Sequence, residues 1–407
     1  MTAALAADWT VVRQRFEGRR IEDVEAAVGR AFESGGAAAR IKPGASIAVT
    51  AGSRGIDAIV PVLRAVAGRL RALGAHPFVT AAMGSHGGAT GEGQREVLRG
   101  YGITEATMGC PVRSSMEVVS LGLTDTGFEV FCDRNAFESD GIVVVGRVKP
   151  HSILTGDLGS GLLKMTAIGL GKQRGADSIH VQGVAAHLVS AARRVLARAP
   201  IALGIALVEN AYDRLAIVEG VGPEGFEEAD RRLLAQARAW LPRLPAALLP
   251  LDVLIVDRIG KDISGAGMDP NVIGMWRRNG GEPDVAIARI VALDLSDASH
   301  GNAIGVGMAD LITASLEQKI DRHAMAMNAL TSGFLSGAKV PIALPTAQAA
   351  IDEACRPFAR ERLRAMRIQD TAHLEYLRVS PVLGAEATAI DDLEIADAAS
   401  HSTTGAP

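Results

Sequence analysis

The residues best suited to chemistry gather in one turn-rich run, Gly146 to His180, which reads GRVKPHSILTGDLGSGLLKMTAIGLGKQRGADSIH. It sets His151, Lys164 and His180 among glycines, so imidazole, amine and flexible backbone occur together. Two other loops add to the set: GSHGG carries His86, and AGSRG carries Ser53 and Arg54. Imidazole gives and takes protons near neutral pH and also binds borderline metals. Lys164 lies between GDLGSGLL and MTAIGLG, where an amine meets backbone amides of the kind that cradle a phosphate. One loop histidine can simply fill a turn, but three beside glycines or strand ends shift the balance toward function. His300, in DASHGNAIG, is a weaker candidate of the same kind.

Several site patterns are missing. No HxH, HExxH or cysteine cluster supports a metal held by protein side chains alone. No GxSxG elbow or SxxK surrounds Ser53, Ser85 or Ser160, and there is no P-loop. The runs GLGKQRG and GDLGSG do not match GxGxxG, and no acidic residue follows at the spacing a dinucleotide ribose needs, which rejects a Rossmann NAD site.

Alternating strand and helix patterns must position these groups. ASIAVTAGSRGID predicts a short buried strand that breaks at a polar turn. A helix follows in IDAIVPVLRAVAGRLRALG, whose apolar residues recur at three- and four-residue steps and which stops at Gly74. HPFVTAAMGSHGGATGEGQREVLRGYGI repeats the unit as strand, loop with His86, and helix from Thr90. Two such units predict a largely parallel sheet whose carboxyl edge carries the loops and any ligand. GIVVVGRV is almost continuously apolar, a strand buried on both faces, and it leads straight into the His151 run. Farther on, VLIVDRIG, ARIVALDLS and VPIALP predict strands of a second α/β unit, with a long helical region over Ile304 to Met327.

At 407 residues the chain exceeds the size at which one core stops growing, so two domains are expected. Pro242, Pro245 and Pro250, between a helix and a fresh strand, place the boundary near Ala247. The expected layout is two α/β domains with an interdomain active-site cleft. Residues 1–247 form a cofactor-binding catalytic domain, 248–396 a C-terminal α/β domain closing the cleft, and 397–407 a disordered tail.

Composition limits the partners. With 42 basic and 46 acidic residues the formal charge is −4, which gives no field for nucleic acid or an anionic membrane, and the expected partner is a small molecule. Cys110, Cys132 and Cys355 are odd in number and far apart, which fits a reducing compartment. No stretch of about 18 apolar residues occurs, and the expected location is cytoplasmic.

Taken in order, these landmarks resemble the nickel-pincer-nucleotide racemase family, whose founding activity is lactate racemisation. The family's "TR" turn, "GTH" loop, "GRIEPH" strand end, glycine-flanked lysine and downstream histidine correspond here to Ser53-Arg54, Gly84-Ser85-His86, Gly146 to His151, Lys164 and His180. The resemblance covers most of the chain. It implies a two-domain α/β fold and a nickel-bearing cofactor, pyridinium-3,5-bisthiocarboxylic acid mononucleotide, bound covalently at Lys164. Proteins that make the cofactor are then implied partners. His180 would complete the Ni(II) site, and His86 and His151 would be the acid-base pair. Ser53, Arg54, Gly159 and Gly161 would bind cofactor, with Arg54 touching either its phosphate or the substrate.

The resemblance breaks where substrate specificity is set. Ala51 replaces an aspartate, and in KDISGAGMDPN the residues Lys261, Asp262 and Ile263 match while Ala266, Gly267 and Pro270 fall where the family holds a carboxylate. That implies a substrate other than lactate, a larger 2-hydroxy acid or a sugar acid. Asp269, Asn271, Trp276, Arg277 and Arg278 are the nearby specificity candidates. The expected activity is a racemase or epimerase at a carbinol carbon. The alternatives are an oxidoreductase or dehydratase with the same cofactor, or a small-molecule-binding relative without chemistry.

Overall fold

The computed structural model describes residues 8–53, 55–152, 156–182 and 184–397, and side chains except those of 180–186. Arg54 and the tail beyond Asp397 therefore lie outside the described residues, as does the His180 side chain. The chain divides into two compact units, Glu17–Leu241 and a second made of Met1–Phe16 with Pro242–Pro407.

Strand β1 (Thr10–Gln14) belongs to the second unit. The first unit holds β2 (Ser46–Ala51), β3 (His76–Ala81), β4 (Val112–Arg113), β5 (Val118–Leu123), β6 (Glu129–Asp133), β7 (Gly141–Arg147), β8 (Ile201–Glu209) and β9 (Leu215–Val221). Six of these form one sheet in the order β4-β3-β2-β7-β8-β9, while β5 and β6 pair separately as an antiparallel ribbon. The first five strands of the larger sheet run parallel, and β9 returns antiparallel beside β8. Successive residues of β2 explain why it is apolar throughout: Ala48 joins the core on one face with Phe78, Ile142 and Val144, whereas Ile47 and Val49 join the other with Val79, Val143 and Val145. A parallel sheet covered on both faces needs such strands.

The helix Ile59–Ala72 buries Val62, Leu63, Val66, Ala67 and Leu70, the face its three- and four-residue spacing dictates. The helix after the His86 loop is Gly91–Gly100, capped by Thr90, whose side chain accepts from Gly93 N.

The second unit contains β10 (Leu251–Ile259), β11 (Ile287–Leu295), β12 (Leu311–Thr313), β13 (Ile342–Leu344), β14 (Ala365–Ile368), β15 (Tyr376–Val379) and β16 (Leu393–Ala396). Its sheet order is β13-β12-β11-β10-β14-β15-β1-β16, parallel from β13 to β14 and antiparallel thereafter. The long helix expected over Ile304 to Met327 does not form. That stretch is a turn at Val306–Met308, strand β12, a short helix Ala314–Gln318 and the start of the helix Arg322–Ser332. Thr313 and Asp321 cap the two helices, and Gly305 with a φ of 95° reverses the chain ahead of the turn. Caps and a left-handed glycine punctuate what composition alone reads as continuous.

No described helix is long and apolar enough to cross a membrane.

Candidate active site

Ser53, His86 and His151 follow the carboxyl ends of β2, β3 and β7, and β2 lies between the other two. Because these strands are parallel, the three loops leave the same sheet edge, where open α/β sheets bind ligands. The His86 ring Nδ1 is hydrogen-bonded to Ser53 Oγ. Tyr101 donates its hydroxyl to Ser53 O at 3.0 Å, fixing the turn that presents the serine. His86 is exposed and Ser53 and His151 are half-buried.

Lys164 ends a single helical turn, Leu162–Lys164, and a π-helical turn, Met165–Gly169, follows directly. Such turns widen the backbone and recur at functional sites. The turn begins at Gly161, whose φ is 90° and where a Cβ would stand 2.2 Å from an Asp230 oxygen. Asp230, reaching from the helix Phe226–Trp240, accepts from Leu162 N at 2.9 Å and Leu163 N at 2.8 Å. Burial pushes its carboxyl up to about 7, against the two amide donors that favour the charged form. Lys164 itself is half-buried.

The loops pack on one another. Gly84 N donates to Gly169 O at 3.3 Å, and a Cβ on Gly84 would meet Ile168 at 3.3 Å. A Cβ on Gly52 would touch the Met165 methyl at 3.0 Å. The Ser53 turn, the His86 loop and the turn after Lys164 thus meet through residues with no side chain to separate them. His151 follows Lys149, whose N donates to Ser160 Oγ at 3.1 Å, tying its loop to the glycine run ahead of Lys164. Gly159 and Gly161 are buried within that run. His180 falls in the helix Lys172–Gln182.

A second group of residues escapes sequence inspection. Lys172, Asp133 and Gln94 are fully buried. Lys172 Nζ is 2.9 Å from Asp133 Oδ2, 3.1 Å from Gln94 Oε1 and hydrogen-bonded to Ala81 O at the end of β3. Gln94 Nε2 donates to Gly84 O at 2.8 Å and His86 O at 3.3 Å. The result is a buried chain, Asp133 to Lys172 to Gln94, ending on the backbone of the His86 loop. Its only sequence signal is a lysine inside GLGKQRG, and Lys172 takes a left-handed φ of 54° that a phosphate-loop reading does not require.

The specificity candidates belong to the second unit. Asp269 caps the short helix Pro270–Ile273 and accepts from Asn271 N and Nδ2 at 2.9 and 2.8 Å. Trp276 Nε1 donates to Val285 O at 3.3 Å, and Arg277 donates to Met308 O and Ile287 O at 3.0 and 2.9 Å. Lys261 Nζ donates to Gly265 O at 2.7 Å and Asn328 Oδ1 at 3.2 Å. Ala266 is buried, and Gly267 has a φ of 80° with Ile304 O filling the space a Cβ would take. His300, with a φ of 47°, ends a turn in this unit.

This architecture is a two-unit α/β fold shared with solved structures. The structure of the lactate racemase apoprotein from Thermoanaerobacterium thermosaccharolyticum superposes with a TM-score of 0.56 at 13% identity, covering 90% of this chain and 99% of that one. A Thermotoga maritima protein solved by a structural genomics consortium gives 0.55 at 13% identity, covering 88% and 99%. No protein-family model and no curated protein matches the sequence.

Proposed function

We propose that the protein is a racemase or epimerase acting at the hydroxylated carbon of a 2-hydroxy acid or sugar acid, with a nickel-pincer nucleotide tethered at Lys164. What carries the proposal is the convergence of the Ser53–His86 pair and the Lys164 turn, packed together through Gly52, Gly84 and Gly169 at the sheet edge from which the His151 loop also leaves. The shared fold with a lactate racemase apoprotein supports it.

The donor set fits the group. An amine stands half-buried on a short turn, and two imidazoles stand on loops from strands either side of β2. Among the described residues no three His, Cys, Asp or Glu side chains gather to hold a metal, so nickel at this edge would draw most donors from the nucleotide. When bound, the nucleotide supplies a hydride acceptor and donor for the carbinol carbon. Lys164 would hold it through its amine, His180 would hold nickel, and Arg54 would contact phosphate or substrate. One of His86 and His151 would take the hydroxyl proton, and the other would serve the opposite stereochemical direction. Ser53 would keep the His86 ring aimed.

The test is mass and exchange. Protein co-expressed with the cofactor-making enzymes and nickel should carry the nucleotide adduct on the Lys164 peptide and exchange deuterium into the carbinol carbon of at least one 2-hydroxy acid. Unmodified, metal-free protein without exchange would overturn the proposal.

A further inference from the structure

A base that must meet one particular proton needs its backbone held as well as its ring. Ser53 holds the His86 ring, and a different set of groups holds the loop that carries it. His86 N donates to Met83 O at 3.1 Å, while Gly84 O and His86 O both accept from the side-chain amide of Gln94. Gly84 and Gly87, with φ of 59° and 68°, lend the loop no stiffness of their own. Gln94 is fully buried on the helix Gly91–Gly100.

An amide side chain can turn over and present its oxygen in place of its N–H groups. Lys172 opposes that turn, because Nζ has only donors and must face Gln94 Oε1, at 3.1 Å. Asp133, 2.9 Å from Nζ, balances the ammonium in the interior. Two unfavourable features coincide at this point. A charge pair is buried, and Lys172 takes a left-handed backbone that glycine would adopt without strain. Strain of this kind persists where the surroundings fix a functional geometry. A glycine at position 172 would ease the turn and leave the Gln94 amide without the donor that orients it.

We propose that Gln94 is the positioning residue of His86, its amide oriented by Lys172 and Asp133 so that both N–H groups face the loop carbonyls. The acid-base role of the ring it positions rests on the racemase reading. Ser53, His86, Gln94, Asp133 and Lys172 all lie in the first unit.

The test uses the full-length, cofactor-free protein labelled with ¹⁵N-histidine, the His86 ring nitrogens being assigned among nine histidines by their loss in His86→Ala. Ser53→Ala removes the ring's anchor directly and gives the resonance positions of a released ring. Gln94→Glu keeps an acceptor for Lys172 and replaces both donors with a carboxylate oxygen that repels the Gly84 and His86 carbonyls. It should move the His86 ring nitrogens toward their Ser53→Ala positions, although the bonds it breaks run to backbone. Amide exchange at His86 and Ala89, which donate to Met83 O and Ser85 O, should quicken about tenfold, the scale of one lost hydrogen bond, while β2, β3 and β7 keep parental protection. Gln94→Met, which fills the space without a donor, should act alike and serves if the first variant does not fold. Ring nitrogens at parental positions in a folded variant, exchange raised across the whole sheet, or failure of both variants to fold makes Gln94 a packing residue and overturns the inference. A responsive ring in protein that takes no adduct at Lys164 fails only the racemase proposal, whereas an adduct and carbinol exchange with an unresponsive ring fail only this one.

Discussion

At the scale of single residues, the hydrogen bond between Ser53 Oγ and His86 Nδ1 decides what the imidazole can do. It fixes the ring plane, and a catalytic base must meet its proton within hydrogen-bond reach. Ser53→Ala removes that anchor while leaving the lysine tether untouched, so cofactor-loaded protein should keep its adduct and lose turnover by about 10- to 100-fold, the scale of a small misplacement. His86→Ala and His151→Ala should retain nickel and lose about 100-fold or more. His180→Ala should instead lose nickel to a chelator faster than the parent, read by metal analysis. Equal nickel loss in all three histidine variants would count against the division of roles.

Among the elements, the buried Asp133–Lys172 pair joins the end of β6 to the loop off β3. Breaking such a pair strands a charge in the interior at a cost of about 3–5 kcal/mol, whereas replacing both ions with apolar groups is close to neutral. Lys172→Met should therefore lower stability in denaturant by about that amount, and Lys172→Met with Asp133→Leu should recover only part of it, because Asp133 also accepts from the buried Ala136 N. Asp230 gives the turn carrying Lys164 a pH dependence. Its folded pKa, about 7, lies above its unfolded value, so the folded state holds the extra proton between about pH 4 and 7. Its contribution is fully present below that window and is lost as pH rises through it, by at most about 1.4 kcal/mol per pH unit. Asp230→Asn should flatten this part of the stability profile. The contrast between these groups shows what a sequence can display. The strand over Gly141–Arg147 and the helix face of Val62, Val66 and Leu70 are periodic in local sequence, and His86, His151 and Lys164 announce themselves beside glycines. Lys172 and Asp133 are remote in sequence, Asp230 reaches Leu162 from a distant helix, and no local pattern records either meeting. The helices after Ile304 failed on punctuation, because Thr313 and Asp321 look like ordinary polar residues until they cap.

Across the whole molecule, the chain enters the second unit's sheet before building the first unit. Strand β1 sits between β15 and β16, pairing Val12 with Leu377 on one side and Ile395 on the other. Gln14 Nε2 adds bonds to Leu374 O at 2.5 Å and Arg243 O at 3.0 Å. Val11 and Val12 are buried, each contributing about 1.5–3 kcal/mol. Removing residues 1–16 thus forfeits about 3–6 kcal/mol before any ladder bonds are counted, a large part of the 5–15 kcal/mol typical of a domain. It also leaves β16 without the one strand it pairs with among the described residues. The first unit's sheet uses none of those residues, so the loss should be local. Hydrogen exchange on the truncated chain should show Tyr376–Val379 and Leu393–Ala396 opening first while β2, β3 and β7 stay protected. Uniform loss of protection across both sheets would mean that the two units unfold as one, and that the first strand holds more than the sheet it completes.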